Sequence, residues 1–238
     1  MIDVNFELNG KTRNESINPV KRLSEFLRND MGLSATKVGC NAGDCGSCTV
    51  MINGKTACSC LVSASQINGS KIETLENMVH DGQLSRLQRS FLHFGAAQCG
   101  ICTPGMLISA KALLEKQPEP SHREVEDALG GVLCRCTGYK KISEAVVHAH
   151  EFADKELRPE AGKGVGSAIR HLDGVPKVNG SLKYGSDTIP ENAVYVRVIR
   201  SPYHHANFAI GDKDTFVRET EGVEAVFDAR TSDAIALA

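Results

Sequence analysis

Nine cysteines stand out in this 238-residue chain, and eight of them fall into two groups with regular spacing. Cys40, Cys45 and Cys48 lie in GCNAGDCGSCTV, with Cys58 and Cys60 following in ACSCLV; Cys99 and Cys102 lie in QCGICTPGM, and Cys134 and Cys136 in CRCTGY. An odd count argues against a closed disulfide framework, and so many thiols in a chain with no secretory start need a use other than disulfide formation. Thiolates are soft donors, and metal binding is that use.

The first group reads C-x4-C-x2-C with a distant fourth cysteine, the spacing of plant-type [2Fe–2S] ferredoxins. Four thiolates and two sulfides outweigh two ferric ions, so such a cluster is anionic and needs converging backbone N–H groups with little steric bulk. Gly39, Gly43 and Gly46, interleaved with the ligands, let a loop wrap that closely. A structural zinc loop is the alternative, but zinc sites usually pair two short C-x2-4-C knuckles, whereas here one knuckle follows a long glycine-rich arm. No histidine lies near these cysteines, which also excludes a mixed Rieske-type site. The spacing leaves both Cys58 and Cys60 open as the fourth ligand.

In the second group, a C-x2-C and a C-x-C each precede an expected helix. That arrangement brings four thiolates to the positive ends of two helix dipoles and predicts a second cluster. Pro104 falls just inside its helix, where proline is tolerated. A thioredoxin-like role for Cys99 and Cys102 would leave Cys134 and Cys136 without a purpose.

The surrounding pattern predicts the elements that must position these loops. Val4, Phe6 and Leu8 alternate, and Asn9-Gly10 closes a hairpin with residues 11 to 17. Leu23, Phe26 and Leu27 predict a short helix ending near Met31-Gly32. Asn53-Gly54 predicts a second hairpin, and residues 72 to 75 a last strand. From Gly82 onward the period becomes helical. Leu84, Leu87, Phe91 and Leu92 predict one helix, residues 106 to 116 a second, the capping box Ser121 and Glu124 a third, and residues 142 to 152 a fourth. A polar, glycine-rich linker covers 156 to 168, and beyond it 193 to 199 and 222 to 227 read as strands.

Hydrophobic residues make up 41% of the chain, charged residues 24%, and the formal net charge is −2. No basic field recruits nucleic acid, and no run reaches the roughly 18 to 20 apolar residues of a membrane span. The expectation is a cytoplasmic protein. GKGVGS at 162 to 167 lacks phosphate-loop spacing, and adjacent His204 and His205 point in different directions, so neither is read as a site.

GCNAGDCGSCTV, SCLV, QCGICTPGM and CRCTGY, taken as a set, resemble the iron–sulfur subunit or domain of the xanthine oxidase family of molybdenum hydroxylases over residues 1 to 155. The resemblance implies an α+β architecture: a β-grasp ferredoxin-like domain at 1–78, then a four-helix [2Fe–2S] domain at 79–155. It assigns the fourth ligand of the first cluster to Cys60. It places the cluster of Cys99, Cys102, Cys134 and Cys136 beside a molybdopterin in a partner chain, with Gln98 and Cys136 approaching the pterin. Residues 169 to 238 resemble the opening of that family's molybdenum-binding subunit, a partial α/β segment in which Arg170, Asp173, Lys177, Val178, Gly180, Tyr184, Asp187, Ser201, Pro202 and His205 fall in the motif's order.

The implied function is electron transfer between a molybdenum-binding large subunit and a flavin (FAD) subunit or an external acceptor. The chain stops at Ala238, before a substrate pocket or a catalytic glutamate, so alone it is expected to catalyse nothing. Purines, nicotinate, aldehydes and aromatic thioesters all stay open as substrates of the complex, with purine-type heterocycles favoured. A free-standing carrier is the competing reading, and the tail argues against it, since its apolar strands would expose edges. A zinc adaptor is the third, distinguishable by its lack of colour.

Overall fold

The computed structural model describes residues 1–152, 159–167, 169, 171–188 and 190–228. Arg170 and parts of the expected linker lie outside the described residues. Two compact units are present, Met1–Asp187 and Thr188–Ala238.

The first unit begins with β1 (Ile2–Leu8) and β2 (Lys11–Ile17), paired antiparallel in the register Leu8 to Lys11 about the Asn9-Gly10 turn. Both turn residues have positive φ, the requirement of a two-residue hairpin. A helical turn α1 (Leu23–Glu25) runs into one π turn at Phe26–Asp30 and stops before Gly32. β3 (Thr49–Ile52) and β4 (Lys55–Cys58) form the second hairpin across Asn53-Gly54, and β5 (Lys71–Glu73) completes a five-stranded sheet in the order β2-β1-β5-β3-β4. β1 and β5 run parallel, the other neighbours antiparallel. Val4, Phe6 and Leu8 turn inward on Phe26 and Leu27, with the Phe6 and Phe26 rings edge to face at 5.8 Å.

A two-residue ribbon, β6 (Val79–His80) with β7 (Gln83–Leu84), turns at Asp81-Gly82, where the sequence period suggested the onset of a helix. Asp81 and Gly82 both take positive φ, and an Asp-Gly pair makes that conformation cheap, so hairpin chemistry wins over the apolar spacing. Helix α2 (Arg86–Phe94) then carries a Ser85–Gln88 capping box and ends at Gly95 in the left-handed region. α3 (Thr103–Leu114), α4 (His122–Leu129), capped by Ser121 with Glu124, and α5 (Lys140–Val147) follow. α3 is buried along most of its length, as a central helix must be. Its Met106, Leu107 and Ile108 join Phe91, Val125, Leu129, Val132, Ile142 and Val146 in a single core that also takes in Met51 of the sheet.

α6 (Gly174–Asn179) packs on α2 and α3 with Val178 fully buried, so residues up to Asp187 belong to the first unit. In the second unit, α7 (Lys213–Glu219) is capped by Asp212. The strands expected at 193 to 199 and 222 to 227 do not form a ladder among the described residues. A strand is stabilised by its neighbours' N–H and C=O groups, and the apolar pattern alone does not supply a neighbour. No helix among the described residues is long and apolar enough to cross a membrane.

Candidate cluster sites

The fold brings cysteine side chains together in two places. All nine cysteines are free. In the loop before β3, the Cys45 amide points at the Cys40 sulfur and the Cys40 amide at the Cys45 sulfur, each at 3.4 Å, and the Ala42 amide is a second donor to the Cys40 sulfur at 3.3 Å. These donors favour the thiolate: the Cys45 and Ala42 amides bring the Cys40 thiol down to about 7. The same amides would stabilise an anionic cluster.

Cys48 and Cys60 are buried beneath that edge. Burial pushes Cys60 up to about 11, helped by its neighbour Cys48, while the Gly43 amide pulls the other way. Crowding thiols in a low-dielectric place therefore costs free energy that bound ferric ions would offset. Cys58 is also close, but its thiol donates to the Gly43 carbonyl at 3.7 Å. A ligand sulfur needs donors aimed at it; Cys60 faces the Gly43 amide, whereas Cys58 faces the Thr49 and Cys48 side chains and the Gly43 carbonyl, and no backbone amide is directed at it.

The second set forms where α2 ends and where α3 and α5 begin. Cys102 is the N-cap of α3, with Pro104 in its first turn. Cys136 approaches Cys99 with sulfurs 3.5 Å apart, and Cys102 contacts Cys134. Burial pushes the Cys102 thiol up, and Cys134 adds to the rise. Burial works the same way on Cys134, yet the Thr137 hydroxyl, 3.2 Å from its sulfur, and the Thr137 and Cys136 amides hold it below the usual thiol range. The Cys134 amide donates to the Tyr139 phenol oxygen at 2.9 Å. Thr137 and Tyr139 were not singled out from the sequence, although both sit in CRCTGY; nothing local told that they turn back on Cys134.

In both sets the sulfurs meet as pairs, Cys40 with Cys45, Cys48 with Cys60, Cys99 with Cys136 and Cys102 with Cys134, and Cys48 also meets Cys58. A binuclear cluster takes two thiolates on each iron, an arrangement that paired sulfurs can supply. Gln98, Cys99 and Cys136 are all exposed, as is Cys40 on the other loop.

The two loops touch back to back. The Leu133 amide donates to the Cys45 carbonyl at 2.9 Å. Gly46, at φ +67°, lies so close to the 131–132 backbone that a Cβ there would sit 2.1 Å from the Gly131 oxygen.

Paired thiolates, inward amides and adjoining loops define an electron-transfer protein with two [2Fe–2S]-binding domains. The 2Fe-2S iron-sulfur cluster binding domain family matches residues 6–75 and the [2Fe-2S] binding domain family residues 72–147. The nicotinate dehydrogenase small FeS subunit of Eubacterium barkeri is 50% identical over 150 residues, 63% of this chain and 96% of that one. The aldehyde oxidoreductase of Megalodesulfovibrio gigas is 34% identical over 221 residues, 87% of this chain and 24% of that one. The crystal structure of the aldehyde oxidoreductase from Desulfovibrio desulfuricans ATCC 27774 superposes with a TM-score of 0.77 at 35% identity, covering 82% of this chain and 23% of that one. The chain thus spans about a quarter of the length of those oxidoreductases. It belongs to the iron–sulfur subunits and domains of the xanthine oxidase family of molybdenum hydroxylases.

Proposed function

We propose that Cys40, Cys45, Cys48 and Cys60 hold one [2Fe–2S] cluster in a β-grasp domain at 1–78, and that Cys99, Cys102, Cys134 and Cys136 hold the other in a four-helix domain at 79–155. Each cluster, when bound, stores one electron. The chain's own residues supply the thiolates, aim the Cys45, Ala42 and Gly43 amides at sulfur, and bury Cys48, Cys60 and Cys102 away from water.

The observation that carries a relay is the Leu133 to Cys45 hydrogen bond, which joins one ligand residue to the immediate neighbour of another, Cys134. Electrons would enter at the exposed Cys99, Cys136 and Gln98 end, facing a molybdopterin of a molybdenum-binding large subunit. They would leave at the exposed Cys40 end toward an FAD subunit or an external acceptor. A hydroxylation that draws oxygen from water releases two electrons and two protons, and two one-electron stations in series divide that pair. Nicotinate is one substrate class that the Eubacterium barkeri relative brings to mind, beside the purines and aldehydes of other family members. Residues 188 to 238, beyond the first compact unit, would lie with the large subunit.

The test is an iron and acid-labile sulfide assay with electron paramagnetic resonance of the dithionite-reduced protein, isolated with whatever copurifies. About four irons per chain, two distinct [2Fe–2S] signals and a molybdenum-containing companion are expected. Zinc without sulfide would overturn the reading.

A further inference from the structure

Residues 173 to 187 connect residues 28–37, which lead into the first cluster loop, with Cys99 and Gly100 of the second, and several independent contacts fasten them there. Val178 is fully buried and its carbonyl accepts from the Gln88 side chain at 2.9 Å. Gly180 is so close to residue 35 that a Cβ would sit 2.2 Å from that of Ala35. Asp187, its side chain 2% exposed, accepts from Lys37 at 2.8 Å, from Arg28 and from the Tyr184 amide at 2.9 Å. Lys37, almost as deeply buried, also donates to the Leu182 carbonyl at 2.9 Å and stands 5.0 Å from the centre of the Tyr184 ring.

What this fastening delivers is one hydrogen bond at the second cluster loop. The Tyr184 phenol donates to the Cys99 carbonyl at 2.6 Å, and the Lys177 stem covers the next residue. Gly100 has φ +90°, and a Cβ on it would lie 2.6 Å from the phenol oxygen and 2.7 Å from the Lys177 Cγ. Only glycine lets the strap come so near.

We propose that Tyr184 is a positioning residue for the Cys99–Cys102 loop, clamped there by Lys37, Asp187 and Arg28, and that its hydrogen bond raises the reduction potential of the cluster this loop ligates. The assignment rests on the ligand reading above. A donor on the carbonyl of a ligand residue draws electron density from it and sets the positive end of a dipole beside a cluster that gains negative charge on reduction. The reduced form gains more from that dipole than the oxidised form. Because the ring packs against Lys37 and the Lys177 stem covers Gly100 separately, replacing the hydroxyl alone leaves the cover in place.

The experiment compares the full chain, clusters assembled, with its Tyr184→Phe variant by potentiometric titration followed by electron paramagnetic resonance. The signal remaining in a Cys45→Ser variant identifies the helical-domain cluster. The expected result is a shift of the reduction equilibrium of that cluster toward the oxidised form by up to about tenfold, which is about 59 mV for one electron. Its g values should move as well, with the other cluster unchanged. Unchanged potentials and g values in a Tyr184→Phe protein holding about four irons per chain would overturn the inference and leave the ligand reading standing. Fewer irons in the unmodified chain, or loss of both signals on Cys45→Ser, would overturn both. Unequal shifts larger at the other cluster would also overturn it, because the strap would then act on the wrong loop.

Discussion

The Leu133 amide donates to the carbonyl oxygen of Cys45 at 2.9 Å, and Leu133 is covalently joined to Cys134. From one thiolate to the other the route is backbone, one hydrogen bond and backbone again. Gly46 makes that contact possible, since its positive φ and missing Cβ let the first loop lie on residues 131 and 132. Gly105 approaches the same place from α3 and would put a Cβ 2.5 Å from the Gly46 oxygen.

Gly46→Ala is therefore expected to destabilise the chain by at least about 1–2 kcal/mol, the cost of placing an L-residue in the left-handed region, before the clash with the Gly131 carbonyl is counted. Because backbone must move on both sides, both cluster signals should broaden or shift together. Thermal unfolding and electron paramagnetic resonance check this; a stable variant with one signal altered would show that the loops are not mechanically joined.

Cys45→Ser should abolish one cluster signal and spare the other, and Cys102→Ser should do the reverse, because the two thiol sets sit on separate element groups: the sheet loops, and the helix termini of α3 and α5. Iron content would fall by about half in each case. Loss of both signals from either single change would mean that the sites do not assemble independently.

Cys58→Ser should leave both signals intact, whereas Cys60→Ser should remove the one from the first loop. The physical ground is which backbone group each sulfur faces: the Gly43 amide points at Cys60, while the Cys58 thiol donates to the Gly43 carbonyl and otherwise meets only the Thr49 and Cys48 side chains. Serine can keep donating to that carbonyl. The reverse result would exchange the two roles.

The chemistry was legible in the sequence because cluster ligation imposes local spacing, and the flanking elements were legible because turns and caps are local too. Asn9-Gly10, Asn53-Gly54, Ser121 with Glu124 and the Gly95 cap each act within four residues. The joints between the parts were not legible. Leu133 to Cys45 and Tyr184 to Cys99 span 88 and 85 residues, and neither leaves a periodic trace in the chain. Lys177, Val178, Gly180, Tyr184 and Asp187 could be seen to follow a motif's order, but only the fold gives them a physical task, which is to seat residues 173 to 187 on α2, α3 and the loops. The apolar runs at 193 to 199 and 222 to 227 show the converse: strand-like patterning without a ladder among the described residues.

Asp187 should make a pH-dependent contribution whose sign follows from its partners. Burial alone would raise its carboxyl, but the hydrogen bonds from Lys37, Arg28 and the Tyr184 amide prevail and hold it at about 2, below the ordinary 3.8. A depressed carboxyl stabilises the fold above its unfolded value and loses that stabilisation as pH falls through the folded one. Nearly two units at 1.36 kcal/mol each is about 2 kcal/mol. Asp187→Asn also leaves Lys37, whose side chain is 3% exposed, with the Leu182 carbonyl but without its carboxylate, so the total loss should be larger, of the order of 3–5 kcal/mol for breaking one side of a buried ion pair. Urea unfolding of the two chains should show a gap that is flat from pH 8 to pH 5 and narrows from about pH 4 downward. A gap that closed already between pH 7 and pH 5 would mean that Asp187 is not held ionised by Lys37 and Arg28, and that the strap is fastened by its apolar contacts alone.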